Sequence, residues 1–356
     1  MEDIVRGLED LLGRLHVHEG LRPILSLVIM LAAVFAVLLA GLWGAVRARW
    51  ISRNTAAFWI FVSPWIIGFL LFTGGPMAYS LYLSFTDWNL IDPPEFVGLA
   101  NYAEAFTDPD LGQSIKVTLT YAAVSVPLQT VLSLAVALLM NSKVRGIHVF
   151  RTIWYLPSLV TGVAQAVLFI WVFNPSYGLA NGLLRLLGVE GPRWLFDAGW
   201  ALPTVIIMSL WTVGGNMVIY LAGLQDIAKE LYEAAQIDGA GRWRRLWNIT
   251  LPQVSPVIFF NVVTGLIYAM QTFTQGYVVT HNGGGPSDSL LFYVLYLYNN
   301  AFSFFRMGYA SALAWIFFIM IMVLTALVFR GSAFWVYYES QRPKERERRV
   351  RAHHAH

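Results

Sequence analysis

The sequence contains no cysteine. That excludes a disulfide framework, a thiolate metal site and thiol redox chemistry. Charge is also scarce: 13% of the 356 residues are Asp, Glu, Lys or Arg, against about 25% in a soluble globular domain. No G-x-x-x-x-G-K-[ST] phosphate-binding loop occurs anywhere in the chain. Paired acids, metal-ligand clusters and a nucleophile constellation are missing too, which disfavours an enzyme. What is present is apolar. Hydrophobic residues make up 57% of the chain and the mean hydropathy is +0.57, a balance that belongs in a bilayer.

Seven apolar spans are expected, near 24–46, 56–85, 117–140, 149–173, 201–224, 256–280 and 309–329. The first is too long for a signal-peptide core, and the segment before it is long and acidic. Within residues 1–22, Ile4, Leu8, Leu11, Leu12 and Leu15 recur at helical spacing, as in an amphipathic interfacial helix. His16, His18 and Glu19 read as a solvated helix end rather than a metal site. In the second span, Pro64 and Gly74-Gly75-Pro76 are expected to kink the helix or end it early. Three longer loops follow. Residues 86–113 hold six acids and no Lys or Arg, 174–200 carry a small amphipathic piece around Leu183–Leu187, and 281–308 are rich in Gly and aromatics.

The basic residues orient the spans. Seventeen of the 24 Lys and Arg lie in 47–55, 141–151, 225–252 and the tail from Arg330. An excess of Lys and Arg marks the cytoplasmic side. The C-terminus is therefore expected inside, and seven spans put the N-terminus outside. The tail from Arg342 to Arg351 reads as solvated or facing lipid headgroups, and His353, His354 and His356 as its end. A nucleic-acid role is a poor fit.

No span has an Asp, Glu, Lys or His in its interior. Ion-coupled carriers usually place such groups there to bind the coupling ion. With no phosphate loop either, energy for any work must enter from another chain.

The polar island at 225–252 is where it can enter. Asp226 is a candidate N-cap, and Ile227–Asp238 contains no helix breaker. Ala228, Leu231, Tyr232, Ala235 and Ile237 share one side. Gly239 and Gly241 offer positive-φ freedom to end the helix. Ala234 and Ala235 let a partner approach the backbone, and Glu233 can pair with its arginine. Arg242, Arg244 and Arg245, with Trp243 and Trp247, suit an interfacial segment. Leu251-Pro252 and Pro256 would then redirect the chain into the sixth span. Two readings stand on pattern alone: a docking surface for a motor protein, or a plain connection with an amphipathic helix.

Candidate path residues lie in the two flanking spans. Trp211, Thr212 and Asn216 fall near one face of the fifth; Tyr268, Gln271, Thr272 and Gln275 recur at helical spacing in the sixth. Aromatic faces beside hydroxyls and amides suit a sugar. The same groups could instead knit helices together. A path without charge favours a neutral solute.

The island's pattern runs Glu233-Ala234-Ala235, three residues, Gly239, nine residues, Ile249-Thr250-Leu251-Pro252. It resembles the cytoplasmic signature of permease subunits of binding-protein-dependent ABC importers. From about residue 56 onward the chain is similar to the carbohydrate branch, of the maltose-permease large-subunit type. Phe96–Tyr102, Tyr155-Leu156-Pro157-Ser158, Gly178–Asn181, Ala222–Gln225, Gly283–Pro286 and Gly308–Ala312 carry the likeness. There are two departures. Ala228 stands where the family often has a proline, and the span at 24–46 lies outside the usual six-span core.

The resemblance implies an all-α integral membrane protein: a six-helix type I ABC importer permease core plus one extra N-terminal transmembrane helix. It divides as 1–55, a core at 56–330 and a basic tail at 331–356. It implies a cytoplasmic (inner) membrane location in a bacterium or archaeon. The implied partners are a second permease subunit forming a heterodimer, two ATP-binding subunits that hold ATP and Mg, and an extracytoplasmic sugar-binding protein. This chain itself would hold no cofactor. Tyr232, Glu233, Ala234, Ala235, Asp238 and Gly239 would couple to the ATPase, and the loops at 86–113, 174–200 and 281–308 would face the binding protein. The rivals are a self-sufficient secondary carrier or channel, and a structural or sensory membrane subunit.

Overall fold

The structure is a computed structural model, and it describes Ile29 and residues 35–37, 40–142, 144–280 and 283–337. The amphipathic helix expected at 1–22, most of the first span, Lys143 and the tail from Arg342 lie outside the described residues. The described residues are overwhelmingly helical, and one short antiparallel ladder pairs Thr86–Asp87 with Glu95–Phe96. The chain divides into two compact units, Met1–Ser80 and Leu81–His356.

In the first unit, residues 40–47 are helical. The second span begins at Arg53, where Ser52 Oγ accepts the Thr55 N–H at 3.1 Å. It does not end at Gly74-Gly75-Pro76. Helix Arg53–Phe69 passes into a wide turn, Leu70–Gly74, and then into Gly75–Leu83. The Gly75 N–H reaches back five residues to Leu70 O. A proline ring crowds the carbonyl four residues before it in a regular helix. A wide turn just ahead of Pro76 carries the helix through without a sharp exit.

The second unit carries the remaining spans. The third is one helix, Pro109–Met140, opened by Asp108 as N-cap and by Pro109 in its first turn. The fourth and fifth are broken. Ile147–Leu159 and Gly162–Val172 meet at 99°, and Ala198–Thr212 and Gly214–Gln225 at 48°. The sixth is a helical run from Arg242 to Thr280, and the last is Met307–Ser332. Among the described residues, four helices are long and apolar enough to cross a membrane, or up to six if each bent pair counts once. This agrees with the six-helix core and the all-α class expected from the sequence.

The two breaks pack on each other, and other spans satisfy backbone carbonyls at the fifth span's break. A Cβ on Gly214 would overlap the Trp154 carbonyl, so only glycine permits that approach. Ser133 Oγ of the third span donates to Val213 O at 3.1 Å. Gln165 Nε2 of the fourth donates to Met208 O at 2.9 Å. Buried carbonyls away from water need such partners.

The motifs away from the island hold the opposite end together. Asn101 Nδ2 donates to Ser84 O and Thr86 O, at 3.0 and 2.9 Å. Gly308 sits against the Thr86 carbonyl, where a Cβ has no room. Asn181 Nδ2 donates to Pro175 O and Pro192 O and its Oδ1 accepts from Trp194 Nε1, closing the segment after the fourth span. The segment at 281–308, expected as a loop, is largely core where it is described. Leu290, Phe292, Tyr293 and Leu295 are fully buried. Tyr293 donates its N–H to Thr118 Oγ1 and its hydroxyl to Leu313 O, both at 2.8 Å. Its glycines and polar residues mask a short helix, Tyr293–Tyr298, whose apolar residues pack inward.

Candidate functional site

The fifth and sixth spans enclose a cavity of about 560 Å³, within the usual range for small-molecule sites. Six of the seven path candidates line it: Thr212, Asn216, Tyr268, Gln271, Thr272 and Gln275. They come together because Thr212 and Asn216 flank the break in the fifth span, while Gln271 and Thr272 follow the end of helix Leu251–Met270. Trp211 does not line the cavity. It packs edge-on against Phe169, ring centroids 5.4 Å apart, beside the hydrophobic core.

The wall also holds residues that the sequence reading missed. Gln129 of the third span and Gln165 of the fourth contribute, with Tyr121, Phe260 and Thr264. Within the spans expected at 117–140 and 149–173, each of the two glutamines is the sole amide. An intramembrane amide was itself the available signal, but without a second polar group at helical spacing it gave no stripe. Gln165 has its Nε2 committed to Met208 O, which leaves Oε1 as acceptor. The lining is mostly amides, hydroxyls and aromatic rings, with Ile219, Gly265 and Ala269 and with no Asp, Glu, Lys, Arg or His. Such a surface can hydrogen-bond and stack on a hydroxylated, ring-shaped solute.

The polar island forms a helix at Lys229–Ile237. Asp226 does not cap it. The Asp226 N–H bonds Ala222 O, so this residue closes the fifth span, and the helix starts at Ala228 with no side-chain cap. Glu233, Ala234 and Asp238 are exposed; Tyr232 and Ala235 are half-buried on the opposite side. Ile237, expected on the packed side, is 89% exposed. Gly239 has φ +70°, the left-handed conformation expected of it, whereas Gly241 has φ −68° and does not use positive φ. The basic stretch is helical and continuous with the sixth span. Arg242–Arg245 is the first turn of the sixth span, which continues through a wide turn, Leu246–Thr250, into Leu251–Met270. Pro252 therefore sits inside a continuing helix, again just after a wide turn, and does not redirect the chain.

At the other end of the bundle, Asp108 gathers the start of the third span and the last span. Its carboxylate accepts from the Tyr296 hydroxyl, from the Tyr309 hydroxyl at 2.6 Å, and from the Asp110 and Leu111 N–H groups. Burial works to raise this carboxyl, but the four hydrogen bonds outweigh it and hold Asp108 below the usual carboxylate range. Burial, followed by the bond to Asp108, pushes Tyr296 up to about 12. Arg306 stacks over Tyr309 at 4.6 Å and binds both Glu104 oxygens at 2.6 Å.

Residues 129–336 match the family described as "Binding-protein-dependent transport system inner membrane component". The chain belongs to this family. The matched stretch takes in all of the cavity wall named above except Tyr121, both broken spans and the exposed helix. The permease is 43% identical over 298 residues to the "Probable ABC transporter permease protein YesP" of Bacillus subtilis, covering 83% of this chain and 96% of that one. It is 35% identical over 277 residues to the "Lactose transport system permease protein LacF" of Rhizobium radiobacter, covering 76% and 92%. Among solved structures, it is similar to a chain of a bacterial ABC transporter involved in the import of the acidic polysaccharide alginate. The TM-score there is 0.69, with 25% identity over 82% of this chain and 98% of that chain.

Proposed function

We propose that this permease is the transmembrane subunit of an ATP-driven carbohydrate importer and carries solute through the cavity between its fifth and sixth spans. The observation that carries the reading is the cavity itself, an uncharged wall of amides, hydroxyls and aromatics lined by six of the residues singled out for sugar contact. LacF is named for lactose and the alginate transporter for a polysaccharide, which supports a saccharide; the uncharged wall favours a neutral one.

In this reading the core spans residues 56–330 and lies in the inner membrane, with the polar island and the C-terminus inside and the N-terminus outside. A second permease subunit completes the path as a heterodimer. An extracytoplasmic sugar-binding protein delivers solute, as the family's description implies. Two separate ATP-binding subunits hold ATP and Mg and perform hydrolysis; this chain catalyses nothing. Each ATPase grips one coupling helix, here Lys229–Ile237. The exposed Glu233 pairs with a basic residue of the ATPase groove, Ala234 lets that groove close on the backbone, and Gly239 turns the chain away.

Purification from native membranes in mild detergent, with mass spectrometry of what accompanies the permease, tests the reading. An ATP-binding subunit, a second permease and a solute-binding protein are expected, and the recovered binding protein then identifies the sugar in ligand-binding assays. Uptake by this chain alone in liposomes, without an ATPase, would overturn it.

A further inference from the structure

The coupling helix has no buried residue and is followed by a left-handed glycine. A push on such a helix dissipates in its connections unless something braces it. The Tyr232 hydroxyl lies 3.0 Å from Thr250 Oγ1, and Thr250 Oγ1 donates to Arg245 O at 3.4 Å. A threonine hydroxyl has one proton. With that proton on the Arg245 carbonyl, Thr250 accepts and Tyr232 donates. Thr250 is itself buried and is the last residue of the wide turn Leu246–Thr250. From there one helix runs to the cavity wall at Tyr268, about 27 Å away at 1.5 Å per residue.

We infer that the Tyr232–Thr250 hydrogen bond is the brace through which movement of the coupling helix reaches the cavity, and that both side chains are positioning residues. Tyr232 thus faces the permease, and Glu233, its neighbour, faces the ATPase. The inference rests on the ATP-driven reading above and adds to it the route of the force.

The absence of cysteine makes a clean labelling background. Spin labels at Val131→Cys and Ile267→Cys, outside the cavity lining, report the separation of the third and sixth spans in the complex expressed with its own partner subunits. Mg-ATP is the probe. In the background chain Mg-ATP shifts the label distance. Tyr232→Phe is expected to copurify with its partners as before but to show a roughly fivefold smaller equilibrium constant for the ATP-shifted state, as for one lost hydrogen bond. Thr250→Val should match it, Thr250→Ser should keep the full response, and the double variant should be no worse than either single. A full response from Tyr232→Phe, or additive losses in the double variant, would overturn the brace. No Mg-ATP response in the background chain would defeat the ATP-driven reading itself, and the brace with it.

Discussion

The two ends of the helical bundle are tied in opposite ways. Around Asp108, a carboxylate takes four hydrogen bonds, an ion pair joins Glu104 to Arg306, and a cation lies over an aromatic ring. At the end proposed to couple to an ATPase, Lys229–Ile237 exposes most of its surface and meets the sixth span through a neutral tyrosine–threonine bond. Charged hydrogen bonds contribute roughly twice what neutral ones do. Segments with few buried contacts belong to the low-stability part of a fold, from which moving parts are drawn. Under the proposed function, the difference marks a fixed end and a movable end.

Substitutions at the two ends should therefore move different observables. Glu233→Lys should lower uptake by roughly a hundredfold or more, because like charges across an interface cost several kcal/mol, while the unfolding midpoint stays put. Uptake assays beside thermal unfolding in detergent check both halves; a large stability loss would erase the distinction. Asp108→Ala should do the reverse. It strands two tyrosine hydroxyls and should cost about 2–3 kcal/mol of stability, seen as a lower unfolding midpoint, with uptake per folded complex retained. Gly239→Ala sharpens the comparison. There is open space around it but φ is +70°, so strain of about 1–2 kcal/mol should fall on the coupling end and appear as weaker ATPase binding. The smallest effect is with pH. The Asp108 carboxyl is held below its ordinary value, so its contribution is full above about pH 4 and fades as pH falls through the depressed value. Unfolding midpoints from pH 6 to pH 3 should drop in the native chain and much less in Asp108→Ala.

Hydropathy and charge made the architecture legible, because bilayer thickness dictates span length and the four continuous helices bear no buried charge in mid-run. The breaks were hidden. Pro157 and Gly162 flank the 99° bend, but Pro64 and Pro127 sit within continuous helices, so a proline alone did not announce it. At the fifth span's break the carbonyls of Val213 and Met208 are served by Ser133 and Gln165 on other helices. The prolines misled in the other direction. Pro76 and Pro252 look like breakers, but a wide turn before each lets the helix continue. At the site, polar residues grouped at helical spacing were readable, whereas the solitary Gln129 and Gln165 were not. Trp211 followed the spacing of its neighbours but packs against the core, because consecutive residues on a helical turn point about 100° apart and Thr212 takes the cavity side.

The bonds to Asp108 join residues 188 and 201 positions apart, and Glu104 meets Arg306 across 202. At 5–20 residues per second, a ribosome needs about 10–40 s to cover that stretch. Throughout that interval the third span is already threaded into the bilayer with its leading carboxylate still waiting for both tyrosines. The fixed end thus cannot close until the last span begins to be made, and a nascent chain truncated before Tyr309 would lack half of the clasp on Asp108.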